Sequence, residues 1–215
     1  MSLTIIPEKT GPLEVISYLV ACPKKKEALV VDPGGPAPAL LERLKQENWR
    51  LRWIVNTHGH ADHTAGNDYW QEATGAPVIM HRLDWEFFSR PEMQEMARAE
   101  GFPPLRRVDL PVEDGHRLPL GLWEATVIHT PGHTPGSICL LFPGHLFTGD
   151  TLFVEAAGRT DLPGGSLEAL LQSLQQKLLP LPDDTRIWPG HDYGGSASST
   201  LGQEKEHNPY LTDFF

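Results

Sequence analysis

The sequence predicts an α/β chain in which two sheets pack face to face and helices cover the outside. Three observations predict it. Short apolar runs of strand length recur in both halves, each half opens on strands and closes on helical periodicity, and several strand runs stop at a histidine or aspartate beside glycine. The 215 residues suit one domain spanning 1–215 with a substantial core. No repeat, low-complexity tract or long linker divides them.

In the first half, "VISYLVA" (15–21), "EALVVD" (27–32) and "RWIVNT" (52–57) read as strands, and "KKK" at 24–26 as the solvated tip of a hairpin. Leu40, Leu41 and Leu44 fall at helical spacing after a Gly-Pro start, which makes the order βαβ-like. "TAGNDYWQEATGA" follows as a short helix and "PVIMH" as a strand. Residues 83–100 read as a partly exposed helix that "GFPPLRRVDLP" breaks. In the second half, "LWEATVIHT" (122–130), "SICLLF" (137–142) and "HLFTGD" (145–150) return to strands. "SLEALLQSLQQKLLPLP" (166–182) has the strongest helical pattern, stopped by its prolines, and "TRIWPGHD" carries the last strand.

Composition removes several function classes. A net charge of -10 without a long basic run argues against nucleic acid and against anionic membrane surfaces as partners. The start "MSLTIIPEKTG" lacks the pattern of a secretory leader, and no apolar run reaches bilayer length, so the cytoplasm is the expected location. Cys22 and Cys139 sit in apolar strand contexts and read as reduced core thiols.

The chemistry concentrates in "NTHGHADHTAG" (56–66), where His58, His60, Asp62 and His63 crowd into six positions. Other candidates also follow strands: His133 after "TVIHTPG", Asp150 after "HLFTG" and His191 after "RIWPG". Strand ends gathered at one edge are rigid platforms for a site. Imidazole and carboxylate together suit Zn(II), Fe(II) or Mn(II). His58 and His60 can face one ion, Asp62 and His63 a second, and the two oxygens of Asp150 can bridge both. The isolated histidines (His81, His116, His129, His145 and His207) receive no ligand role.

The segments "THGHADH", "TPGHTPGS", "FTGDTLF" and "PGHDYG", in this order, resemble the metallo-β-lactamase superfamily across nearly the whole chain. The sequence is most similar to its hydroxyacylglutathione hydrolase (glyoxalase II-like) branch and to the neighbouring persulfide dioxygenases. That resemblance implies an αββα sandwich with the site at one edge of two mixed sheets. It implies two divalent metal ions, zinc before iron or manganese. His58, His60 and His133 would hold the first, Asp62, His63 and His191 the second, and Asp150 would bridge them. Secreted zinc β-lactamases commonly place a cysteine on the second metal and carry a leader. Neither is present, which argues against a lactamase.

Two metals sharing a hydroxide provide a nucleophile near neutral pH, and a departing thiolate suits zinc, so the expected reaction is thioester hydrolysis. Asp62 would both ligate and orient the hydroxide. Asp32 reads equally as an acceptor for a ligand imidazole or as a turn aspartate. The resemblance associates Arg159 and Tyr193 with glutathione; a surface ion pair and a packed ring explain them as well. Two departures weaken the expectation of S-D-lactoylglutathione specificity. Asp161 stands where glyoxalase II enzymes carry an aromatic residue, and the C-terminal region with basic glutathione contacts is missing after Phe215. The expected partner is a small-molecule thioester, with a homodimer left open. The alternative is a mononuclear Fe(II) persulfide dioxygenase using His58, His133 and Asp150. Residues 81–107 lengthen the region over the site, which favours the hydrolase.

Overall fold

The computed structural model describes residues 2–193 and 196–215; Met1 and the two glycines after Tyr193 fall outside it. The first sheet contains β1 (Thr4–Thr10), β2 (Val15–Cys22), β3 (Glu27–Val31), β4 (Arg50–Val55), β5 (Val78–His81) and β6 (Leu110–Val112), in that order. Pairing is antiparallel from β1 to β3 and parallel from β3 to β6. The second sheet is built from β7 (Arg117–Leu120), β8 (Trp123–His129), β9 (Ile138–Phe142), β10 (His145–Gly149), β13 (Arg186–Pro189) and β14 (Ser199–Thr200), ordered β14-β13-β10-β9-β8-β7. Its β10/β13 pair is parallel and the rest antiparallel. A small ribbon joins β11 (Leu152–Phe153) to β12 (Ala156–Ala157).

Strand alternation explains the layering. Along β2, Ile16, Tyr18, Val20 and Cys22 point between the sheets, where they meet Leu120, Leu140, Phe142 and Phe147. Leu19 and Ala21 point the other way, toward Leu40, Leu41 and Leu44 of α1 (Pro38–Gln46) and Trp70 of α3 (Asn67–Thr74). Because both faces are covered, every residue of β2 is buried, and the strand reads as a continuous apolar run. On the far side, Cys139, Leu146 and Ile187 pack under α6 (Leu167–Ser173), α7 (Leu201–His207) and α8 (Pro209–Thr212). The result is helix, sheet, sheet, helix, as the sequence predicts. Cys22 and Cys139 are buried and free.

Several elements differ from the sequence reading. The segment 83–100 is two helices, α4 (Arg82–Phe88) and α5 (Pro91–Ala99), because Pro91 opens a new first turn. The 166–182 helix begins at Ser166, whose side chain accepts from the Ala169 amide, and α6 continues as a π-helical turn over Leu174–Leu178. Strand β1 went unread: Pro7 breaks its apolar pattern, and a proline is tolerated there on an edge strand. Helix α7 does carry a sequence signal, since Thr200 and Gln203 form a capping box. Among the described residues no helix is long and apolar enough to cross a membrane.

A buried side-chain hydrogen bond crosses between the sheets: Tyr18 on β2 donates its hydroxyl to the Pro189 carbonyl on β13 at 2.6 Å. Tyr18→Phe leaves that carbonyl without its partner while keeping the ring. The expected loss is about 1–3 kcal/mol, read as a lower urea midpoint at unchanged m. An unchanged midpoint would show that the bond does not help hold the sheets together.

Candidate metal centre

The loops that follow β4, β8, β10 and β13 carry the predicted ligands, and backbone bonds tie them together. Ile138 donates to the Thr57 carbonyl, Gly190 to Gly149, and Ile16 to Gly190, each at 2.8 Å. Helix α2 (Ala61–Thr64) begins directly after His60, and this turn brings Asp62 and His63 back toward the strand ends. The site therefore draws on both sheets.

The seven predicted ligands come together. His58, His60 and His133 form one group of converging donor atoms, and Asp62, His63 and His191 form another. In the first, His60 Nδ1 lies 3.0 Å from His133 Nε2. In the second, His63 Nε2 lies 3.2 Å from His191 Nε2, which is 3.4 Å from Asp62 Oδ2. Asp150 sits between the groups, with Oδ1 3.3 Å from His63 Nε2 and Oδ2 3.7 Å from His133 Nε2. His58 Nε2 and Asp150 Oδ1 are buried with no hydrogen-bond partner. Orphaned donor atoms aimed into a shared space are what a metal ion would satisfy, and the nitrogen and oxygen set fits divalent metals.

Neighbouring groups fix the ligands. His133 Nδ1 lies 2.8 Å from the Arg159 carbonyl, which sets a tautomer with the Nε2 lone pair facing the site. Asp32 accepts from the Thr57 amide at 2.7 Å and hydroxyl at 2.6 Å, and its Oδ2 is 3.1 Å from His63 Nδ1. Asp32, His58 and His63 also cluster, but Asp32 faces the outer nitrogen of His63 with its oxygens already engaged, so it braces the ligand. It does so from the left-handed region, at φ 46°, a strained conformation for a non-glycine residue. At Gly190 any Cβ would collide with Asp150 Oδ1 and come within 2.7 Å of His63 Cε1, so only glycine permits this approach.

Electrostatics favour neutral donors in the first group, whereas a metal ion at His63 would have to displace its proton. Burial, reinforced by neighbouring imidazoles, holds His58 far below the usual histidine range and His60 at about 3. Both are neutral donors at pH 7. Burial opposes charge on His63 too, but Asp150, Asp62 and Asp32 outweigh it and lift it to about 10. Burial works against the Asp62 carboxylate; His63 and His191 more than compensate and hold it below the ordinary range.

The sequence reading missed Asp84, on the segment taken as partly exposed. It is wholly buried in α4. Its carboxylate accepts from the Gly59 amide at 2.7 Å, the Thr134 hydroxyl at 2.8 Å and the Gly136 amide at 2.5 Å. Gly59 lies between two ligands and Thr134 follows a third, so Asp84 clamps the two loops of the first group together. Burial raises it to about 6 against these hydrogen bonds. No motif marks it.

Arg159 and Tyr193 line a cleft of about 630 Å³ together with His60, Asp62, Asp150 and His191. Tyr193 stacks on His191 at 5.0 Å. Arg159 is already paired in both directions with Asp161, Nε to Oδ1 and Nη2 to Oδ2 at 2.8 Å each. The surface ion pair of the sequence reading is thus present.

Asp84→Asn replaces one acceptor oxygen with a donor that faces an amide or hydroxyl donor. The expected loss is about 10- to 100-fold in metal affinity, the range seen when groups supporting ligands are removed. Competition with a chelator, read alongside urea unfolding, measures it. Reduced stability with unchanged affinity would make Asp84 a packing residue only.

Residues 10–191 match the model of the metallo-beta-lactamase superfamily. The chain is 35% identical to the hydroxyacylglutathione hydrolase GloC of Haemophilus influenzae over 87% of its own length and 88% of that protein. It is 32% identical to the human mitochondrial persulfide dioxygenase ETHE1 over 91% and 71% of the two chains. The crystal structure of BLEG-1, described as a B3 metallo-beta-lactamase, superposes with a TM-score of 0.86 at 35% identity, covering 97% and 100%. A di-iron-bound crystal structure of TTHA1623 gives 0.81 at 36% identity, covering 96% and 100%. The fold matches these structures, the donor set suits metal-dependent chemistry, and the chain belongs to the metallo-beta-lactamase superfamily.

Proposed function

We propose that the protein is a binuclear metal-dependent hydrolase of small-molecule thioesters, of hydroxyacylglutathione hydrolase type. The observation that carries this reading is the pair of three-donor groups with Asp150 between them. Two divalent ions so held, zinc before iron or manganese, supply an activated water near neutral pH and positive charge for a carbonyl oxygen and a departing thiolate. Asp62, kept ionised and lining the cleft, is placed to accept a hydrogen bond from the attacking water. Tyr193, stacked on His191, offers its ring to the thiol carrier. With Nε and one Nη2 hydrogen engaged by Asp161, Arg159 has its remaining Nη donors for a carrier carboxylate.

The lactamase description of BLEG-1 keeps β-lactam hydrolysis as a control assay, although no cysteine stands among the seven ligands. The likeness to ETHE1 supports a second reading, a mononuclear iron dioxygenase using His58, His133 and Asp150.

His63→Ala separates the readings. It removes a donor from the second group and leaves His58, His60, His133 and Asp150 in place. Thioester turnover at pH 7 should fall at least about 100-fold, equivalent to two pKa units of lost water activation. Elemental analysis should show one metal retained. Intact thioesterase activity with a single metal would remove the binuclear reading, and oxygen consumption with persulfide by the one-iron variant would establish the dioxygenase.

Arg159→Ala tests the carrier contact. With a carboxylate-bearing thioester it should raise KM more than it lowers kcat, a loss of binding shared by ground and transition states. An unchanged KM would leave Arg159 as the partner of Asp161 alone.

A further inference from the structure

The cleft lining includes Arg159 and Tyr193. Beside His60 it opens into a recess walled by Phe88, Met93, Met96, Ala97 and Leu105. His60, Ala61, Met93 and Met96 line both spaces, so the recess continues the cleft. Seven large apolar side chains are left exposed among the described residues, and three of them, Leu13, Met96 and Tyr193, line this cleft. That clustering marks a surface kept apolar for a ligand rather than scattered exposure.

The recess is a built feature. The Phe88 ring lies so close to Gly59, between two ligands, that any Cβ there would collide with it. Gln94 donates to the Phe88 carbonyl at 2.6 Å and the Leu105 carbonyl at 3.1 Å, which ties α5 to the 102–105 segment. Its donors are therefore spent on the wall. Apart from His60, Glu100 is the only ionisable group lining the recess among the described residues.

Resting on the thioester hydrolase reading, we propose that the Met93 and Met96 side of the cleft, continued by this recess, receives the acyl group, and that the substrates are thioesters of apolar, medium-length acyl groups. The scissile carbonyl has to lie among His60, His133 and Asp150. From there Arg159 and Tyr193 are available to the polar carrier, and the recess beside His60 to the acyl group. Water adds to the carbonyl carbon, the C–S bond breaks, and a carboxylate, a thiol and one proton leave. A small hydroxyacyl group would leave most of the apolar wall of Phe88, Met93 and Leu105 uncovered and so gain less from binding there. A terminal carboxylate on the acyl group would meet Glu100.

The test is kcat/KM of the metal-loaded protein for acetyl-, D-lactoyl- and hexanoyl-glutathione, followed by thiol release. Hexanoyl should exceed both others by at least about tenfold, since each buried methylene adds to binding. Met96→Gln, at a half-exposed position, should reduce the hexanoyl-to-acetyl ratio at least about threefold. Inhibition of the unmodified protein by S-hexylglutathione should likewise be stronger than by S-methylglutathione. Lactoyl or acetyl turnover equal to hexanoyl would overturn this inference and leave the thioesterase reading standing. A ratio unmoved by Met96→Gln would show that the acyl group lies elsewhere. Release of thiol from none of the three would remove the thioesterase reading itself.

Discussion

Crowding five imidazoles and two carboxylates, most of them buried, against one another is the constraint on which the rest of the structure depends. Left to themselves, such groups repel, desolvate at a cost and turn away from each other. Here they converge because two further buried carboxylates hold their loops from outside. Asp32 fixes Thr57 and faces the outer nitrogen of His63. Asp84 joins Gly59 to Thr134 and Gly136. One carboxylate serves the second group of ligands, the other the first. The strained backbone of Asp32 and the close approach at Gly190 are consequences of the same demand, because an ordinary conformation or a larger residue would open the cluster.

The sandwich meets this demand through its inter-sheet core. His58 follows a strand of the first sheet, whereas His133, Asp150 and His191 follow strands of the second. Ligand spacing is therefore a direct readout of how the sheets pack. Tyr18, Phe142 and Phe147 fill the space between them, and Tyr18 also bonds across it to the strand that leads into His191. A change in core volume would be felt at the candidate metal ligands, because close-packed interiors transmit strain.

Much of this was legible in the sequence because it rests on local pattern. Strands β2, β3, β4, β8, β9 and β10 carry apolar runs long enough to read, and the ligands follow them in motifs with little chance frequency. What escaped has a physical reason in each case. Strands β6, β7 and β14 have two to four residues, too few to show a period. The break between α4 and α5 turned on how a proline at 91 is read, as a stop or as a first turn. Asp84 was invisible because its partners are a glycine 25 positions earlier and residues 50 and 52 positions later, and nothing local distinguishes such an aspartate from a solvated one. The engagement of Arg159 by Asp161 was available as a bland alternative, and the side chains took it.

The segment between β5 and β6 links specificity to reaction class. It carries the Asp84 clamp on its buried side and the apolar wall of Phe88, Met93 and Met96 on its cleft side. A thioester has an acyl group beyond the carrier's sulfur that needs room and an apolar surround. A persulfide has only one further sulfur atom, and a recess beside His60 would be left for water to fill against apolar walls, which is unfavourable. The recess thus bears on the choice between hydrolase and dioxygenase independently of how many metals are bound, and it weighs toward the thioester. It also explains why support for the first group of ligands comes from this segment. The same helix pair that shapes the recess braces the His58–His60 loop through Asp84, so the recess and the first group of candidate ligands share one rigid reference.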